Sequence, residues 1–198
     1  LSGISGITNE AGTIDGNVMR RFDLEKESSF TFHVGPGLDG ANAGQLLNMP
    51  GAVYLKQWLE PTVGYLSLVE SDIMQAGAGL NFKLGEGINH FELMGSAVVD
   101  AEVQLTKEAD SNWAGWNLLS NPMTGFADLN AVGVSGEGTL GATYEWVDSL
   151  ETYTVQVAGL GTFGNTGIVA PGRGLWTIAD ANTTLHFGAE SLVDKDTW

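Results

Sequence analysis

Residues able to do chemistry are plentiful in this chain, but few stand at a spacing that chemistry requires. Two G-x-G-x-x-G strings occur, Gly35-Pro36-Gly37-Leu38-Asp39-Gly40 and Gly159-Leu160-Gly161-Thr162-Phe163-Gly164. A dinucleotide site needs such glycines to open a helix whose N-terminus holds the pyrophosphate, inside a βαβ unit. Neither string has that context, and in a chain with 28 Gly both read as turns or bulges. His33, His90 and His186 are too widely spaced for a local metal-ligand motif, and no Cys joins them. Ser135, in Gly133-Val134-Ser135-Gly136, is not a G-x-S-x-G nucleophile elbow. A glycosidase needs two carboxylates roughly 5 to 10 Å apart across a cleft. Glu25, Glu27, Glu102 and Glu108 fall instead where an alternating strand or a turn points them to water. Oxygen ligands for Ca2+ abound without any D-x-D-x-D-G loop, so calcium enters only as a candidate structural ion. No catalytic residue and no cofactor is expected.

The aromatic residues carry more information. Trp113, Trp176 and Trp198 lie near turns or the chain end, the places from which a ring can be presented to a ligand. Trp58, Trp116 and Trp146 fall within strand patterns. Trp58 with Tyr65, and Trp146 with Tyr153, keep the same seven-residue spacing, which suits neighbouring strands facing one core across a hairpin. Both pairs are expected to be largely buried and to hold the fold together.

The elements that must position these residues are strands. Period-two alternation recurs at Phe30, Phe32 and Val34; at Leu80, Phe82 and Leu84; at Val99, Ala101, Val103 and Leu105; and at Tyr153, Val155 and Val157. Turn-forming clusters such as Asp15-Gly16, Gly35-Pro36-Gly37 and Pro171-Gly172 separate them. Short helices are expected only over 41–49 and 126–130. The class is all-β, a β-sandwich of jelly-roll or immunoglobulin-like type.

Landmarks recur in the same order in both halves. Ile73, Gly77, Gly79 and Leu80 match Ile168, Gly172, Gly174 and Leu175 at an offset of 95, and Trp58 and Tyr65 match Trp146 and Tyr153 at 88. Phe32–Pro36 matches Leu118–Pro122 at 86, and Asp15 and Val18 match Asp100 and Val103 at 85. The expected organisation is a leading segment (1–11), two repeated β units (12–96 and 97–190) and a trailing segment (191–198). The Gly-x-Gly of each unit is expected to form a tight turn feeding an inner strand.

Composition narrows the partners. Eight Lys and Arg against 24 Asp and Glu give a net charge of −16, so the clustered cations that neutralise phosphates are missing, and nucleic acid and anionic membranes are poor partners. No apolar run approaches the roughly 20 residues of a spanning helix, so membrane insertion is not expected. The chain opens at Leu1, which suggests a processed protein or an excised fragment.

Gly115–Met123, GWNLLSNPM, followed by Ile168–Trp176, IVAPGRGLW, resembles a pattern of large secreted and cell-surface proteins of Bacteroidota exported by the type IX route. Gly16-Asn17-Val18, Arg20-Arg21 and Phe30–Gly35 are similar to the strand pair preceding an FPVG-like segment there. Two departures stand out: His33 replaces the usual Pro, and Met123-Thr124 an aromatic-Pro pair. The resemblance implies an extracellular or cell-surface location, a structural scaffold and no catalytic residues. It also gives Asp148-Ser149-Leu150 the look of an O-glycosylation acceptor at Ser149, while Asn182-Thr183-Thr184 is an N-x-T sequon. The expected function is a noncatalytic structural or adhesive module contacting other extracellular modules or surface glycans. A carbohydrate-binding module presenting Trp113 and Trp176 is the alternative, and a hydrolase with a fold-assembled carboxylate pair comes third.

Overall fold

A computed structural model describes residues 4–14, 17–24, 31–85, 87–88, 90–147, 152–157, 161–163 and 167–194. Ser149 and Trp198 lie outside the described residues, as does half of the second glycine-rich string. The fold is all-β, built from antiparallel sheets arranged as sandwiches.

In the N-terminal half, β1 (Ile4–Ile14), β2 (Asn17–Leu24) and β7 (His90–Ser96) form one sheet. A second sheet has the order β3 (Thr31–Val34), β6 (Leu80–Leu84), β4 (Ala52–Leu59), β5 (Gly64–Ser67). Strict alternation puts Leu80, Phe82 and Leu84 of β6 inward. There they meet Phe22, Leu55 and Phe91 in a core whose buried hydrophobic members, among the described residues, run from Phe22 to Leu93. Phe91 stacks on Phe22 at 4.6 Å and takes the edge of Phe82 at 5.7 Å. A single helical turn, α1 (Gly44–Leu47), lies within the span expected to be helical.

The C-terminal half has its own buried core, from Val98 to Phe187. One sheet runs β11 (Gly133–Gly136), β17 (Thr183–Phe187), β8 (Ala101–Leu105). The other runs β14 (Gly161–Phe163), β13 (Thr152–Val157), β12 (Leu140–Val147), β16 (Gly174–Ala179), β9 (Trp116–Ser120). A small third sheet joins β15 (Ile168–Val169), β10 (Phe126–Asp128) and β18 (Leu192–Val193). Residues 126–128 are therefore a strand rather than a helix, because pairing on both edges satisfies their backbone. Strands also cross two expected boundaries: β1 spans residue 11 and pairs with β2, and β18 lies beyond residue 190 yet pairs with β10.

The two larger sheets run in the same sense of strand order, β3-β6-β4-β5 against β9-β16-β12-β13, and they interlock reciprocally. Val34 bridges Arg173 while Leu119 bridges Ala78. Gly35 N–H donates to Gly172 O at 2.8 Å, and Ser120 N–H donates to Gly77 O at 2.9 Å. These contacts set Val34 against Leu119 and Gly35 against Ser120, an offset of 85 rather than 86. Gly77 and Gly172 adopt φ of 85° and 68°, a region open to Gly at no steric cost. The second glycine of each Gly-x-Gly has a different task. A Cβ on Gly174 would lie 2.5 Å from the His33 carbonyl carbon, and one on Gly79 would lie 2.6 Å from that of Leu118. The motif turns the chain and also lets the other half's strand approach.

Candidate functional site: an aromatic cleft between the two sheets

The outward faces of the two larger sheets enclose a cleft of about 580 Å3 lined by Val63 and seven aromatic residues. Trp58 comes from β4 and Tyr65 from β5; Trp116, Tyr144, Tyr153 and Trp176 come from β9, β12, β13 and β16; Trp113 stands on the loop entering β9. Alternation explains the convergence. On β12 and β13 Tyr144, Trp146 and Tyr153 share one face, and the residues between them, Thr143, Glu145, Thr154 and Gln156, are buried on the other.

That distribution inverts the expected burial on β13, where Tyr153, Val155 and Val157 were read as the core face and Thr154 and Gln156 are the buried ones. The polar groups are partly paired: Arg173 and Glu145 form an ion pair at 2.6 Å, and Gln156 donates to Asn130 Oδ1 at 3.0 Å. Both faces of this sheet are covered, so polarity alone does not reveal which face meets the sandwich core.

Three ring pairs are set edge to face, while Trp113 and Tyr144 are tilted on Trp116 by 56° and 34°. Trp176 lies 5.4 Å from Trp58 at an interplanar angle of 76° and 6.2 Å from Trp116 at 74°. Trp58 meets Tyr65 at 5.2 Å and 71°. Hydrogen bonds fix two indoles: Trp58 Nε1 donates to Trp116 O at 2.6 Å, and Trp176 Nε1 to His33 Nε2 at 3.4 Å. Burial pushes the His33 pKa down to about 4, so at neutral pH the ring is uncharged and can accept that bond. Burial, with Tyr65 beside it, raises the Tyr153 pKa above its ordinary value.

Glu60 holds the rim. Its buried carboxylate, at the tip of the β4–β5 hairpin, accepts backbone N–H bonds from Gly115 (2.7 Å), Glu108 (2.9 Å) and Ala109 (3.2 Å), tying the hairpin to the loop that carries Trp113. Burial alone would raise its pKa, but these donors and Thr106 hold it below the ordinary carboxylate value. Next in the hairpin, Val63 adopts φ of 48°, a strained conformation for a β-branched residue.

Trp113 and Trp176, the suspected ligand-facing residues, thus stand in one cleft, Trp113 at 59% exposure on its rim. Trp58 and Trp116, placed within strand patterns by the sequence, line the same cleft. The two Trp–Tyr pairs do lie directly opposite in hairpin register. Their expected burial fails at Tyr65, which is 41% exposed, and is only partial at Trp58, Trp146 and Tyr153; Trp58, Tyr65 and Tyr153 line the cleft.

Elsewhere, Ser135 Oγ lies 2.6 Å from His186 Nε2, and His186 Nδ1 lies 3.3 Å from Glu102. These three stand on adjacent strands of the β11-β17-β8 sheet, beside a Thr184–Gln104 hydrogen bond of the same cross-strand kind at 3.0 Å. Ser135 is exposed, and the Glu102 side chain is 64% accessible. We read the group as a solvated polar ladder. Among the described residues no three His, Asp or Glu gather to hold a metal ion, and no helix is long and apolar enough to cross a membrane. Comparison with protein-family models, curated proteins and solved structures returns no match.

Proposed function

We propose that this chain is a noncatalytic, extracellular or cell-surface β-module that captures a ligand in the aromatic cleft. One observation carries the reading: seven aromatic side chains, from six strands and one loop, converge on a single cleft of about 580 Å3, within the range of small-molecule sites. A scaffold needs aromatics in its cores, and this protein has separate cores for that. The alternative drawn from the sequence is a carbohydrate-binding module presenting Trp113 and Trp176; its ligand-presenting part moves ahead of a purely structural role, with the ligand class left to the chemistry of the cleft. The common strand order and the reciprocal Gly-x-Gly contacts support descent of the two halves from one duplicated unit, with the cleft formed where the copies face each other.

The test is a titration followed by intrinsic tryptophan fluorescence, against panels of soluble polysaccharides and small organic cations. A saturable response that Trp176→Ala removes while the far-UV circular dichroism persists supports the proposal. If no panel member perturbs the fluorescence and cleft substitutions alter only stability, the structural or adhesive reading takes its place.

A further inference from the structure

The shape and chemistry of the cleft narrow the ligand class, an inference that rests on the binding role proposed above. We infer that the cleft takes a quaternary ammonium group, a methylated cation of the choline or trimethyl-lysine kind, rather than a sugar.

Geometry is the first support. A sugar ring lies on an aromatic platform through its flat C–H face, so a sugar site offers rings that are parallel or exposed face-on. Here Trp176 stands at 76° to Trp58 and at 74° to Trp116, and Tyr65 at 71° to Trp58. Trp113 and Tyr144 are tilted on Trp116 by 56° and 34°, so the steep Trp58–Trp176–Trp116 set makes the floor and walls of a box rather than one flat platform. A compact, roughly spherical cation is attracted by the negative face of each ring it meets.

Hydrogen-bonding capacity is the second. Sugars are held by directional bonds from carboxylates, amides and guanidinium groups, and none of these is among the lining residues, which are Val63, Tyr and Trp alone. Two of the four lining indoles already donate within the protein. A quaternary ammonium has no N–H, so a wall poor in acceptors costs it nothing that another amine would miss.

Charge is the third. The net charge of −16 draws cations toward the protein, and no Lys or Arg lines the cleft. Lys56, on the same strand as Trp58, lies over the Tyr54 ring at 4.8 Å, and Arg173 is held by Glu145. Neither occupies the box.

The experiment compares tetramethylammonium and choline with 3,3-dimethylbutanol, the neutral isostere of choline, by calorimetry and tryptophan fluorescence on the intact chain. Saturable binding of the cations, at least tenfold tighter than that of the isostere, supports the inference. So does a progressive weakening of cation binding when the tryptophans are replaced by mono- and then difluorinated analogues, which withdraw charge from the ring faces but keep the walls in place. Trp113→Ala, on the exposed rim, gives a second variant should Trp176→Ala fail to fold, and a loss of affinity of threefold or more is expected. Equal affinity for cation and isostere overturns the inference, leaving an apolar pocket. Saturation by a saccharide with no response to either cation overturns it too, yet leaves ligand capture standing. Silence toward every probe removes both.

Discussion

Glu60 shows how one side chain can organise a cleft it does not line. Its carboxylate is the shared acceptor of three backbone N–H groups contributed by a loop some fifty residues away in sequence. Glu60→Ala strands those donors, and we expect a loss of about 3 kcal/mol, read as a lower urea midpoint, together with weaker packing of Trp113. Because its folded pKa is depressed, the stabilisation from Glu60 is full above the ordinary carboxylate range and is lost as pH falls through the folded value. His33 works on a different window. Its pKa falls from 6.5 to about 4, so between those values the unfolded chain binds a proton the folded one does not, and stability declines as pH drops across that interval and levels off below it. His33→Leu, the residue type at Leu118 in the other half, should flatten that slope in a series of urea melts at stepped pH. Nothing local in sequence announces the role of either residue. Glu60 is one acidic residue among 24 Asp and Glu, and its partners are backbone groups brought near only by folding. Trp113 and Trp176, the ligand-facing candidates of the sequence, line the cleft together with Trp58 and Trp116, which the sequence does not single out as such because alternation tells which residues share a face but not what covers it.

At the level of elements, each Gly-x-Gly segment turns its chain and lies close against a strand of the other half. Alanine at Gly172 would put its Cβ 2.6 Å from the Phe22 ring and 2.8 Å from Gly35 O, and at Gly77 it would press on Val103. Each also forces positive φ on a residue with a side chain. Gly77→Ala and Gly172→Ala should each cost more than about 2 kcal/mol by chemical denaturation, more than Gly40→Ala, where the added Cβ meets nothing within 4 Å. The strand pattern matches the burial over β6 and at Val103 and Leu105 of β8, whereas Val99 is 68% exposed and the pattern is inverted on β13. A strand that buries Thr154 and Gln156 against one layer and half-buries Tyr153 and Val155 against another offers two plausible inner faces, and only the neighbouring sheet decides between them. Trp146→Ala, which removes the ring facing Tyr153 at 5.1 Å, should therefore cost less than the 3 to 5 kcal/mol typical of a fully packed ring.

Over the whole molecule, the all-β class followed from turn residues and alternation, and the cleft did not, since it exists only where the outer faces of two sheets meet. Arg20 adds to that junction: fully buried on β2, it donates to Gly37 O at 3.0 Å and to Thr124 O at 2.8 Å, joining the two halves from within. With so many bonds crossing between the cores, the halves should unfold together, and calorimetry should give one transition whose calorimetric and van't Hoff enthalpies agree. The reciprocal docking of the Gly-x-Gly turns has a further consequence when two chains meet. Each half offers the surface that completes the other, and only residues 97–100 separate β7 from β8. A chain that folds beside a copy of itself can satisfy every one of those contacts by exchange, the N-terminal half of one molecule closing on the C-terminal half of its neighbour. Refolding from urea at high protein concentration should yield exchanged dimers, separable by size exclusion and reverting to monomer only after renewed unfolding, with each dimer carrying two complete clefts.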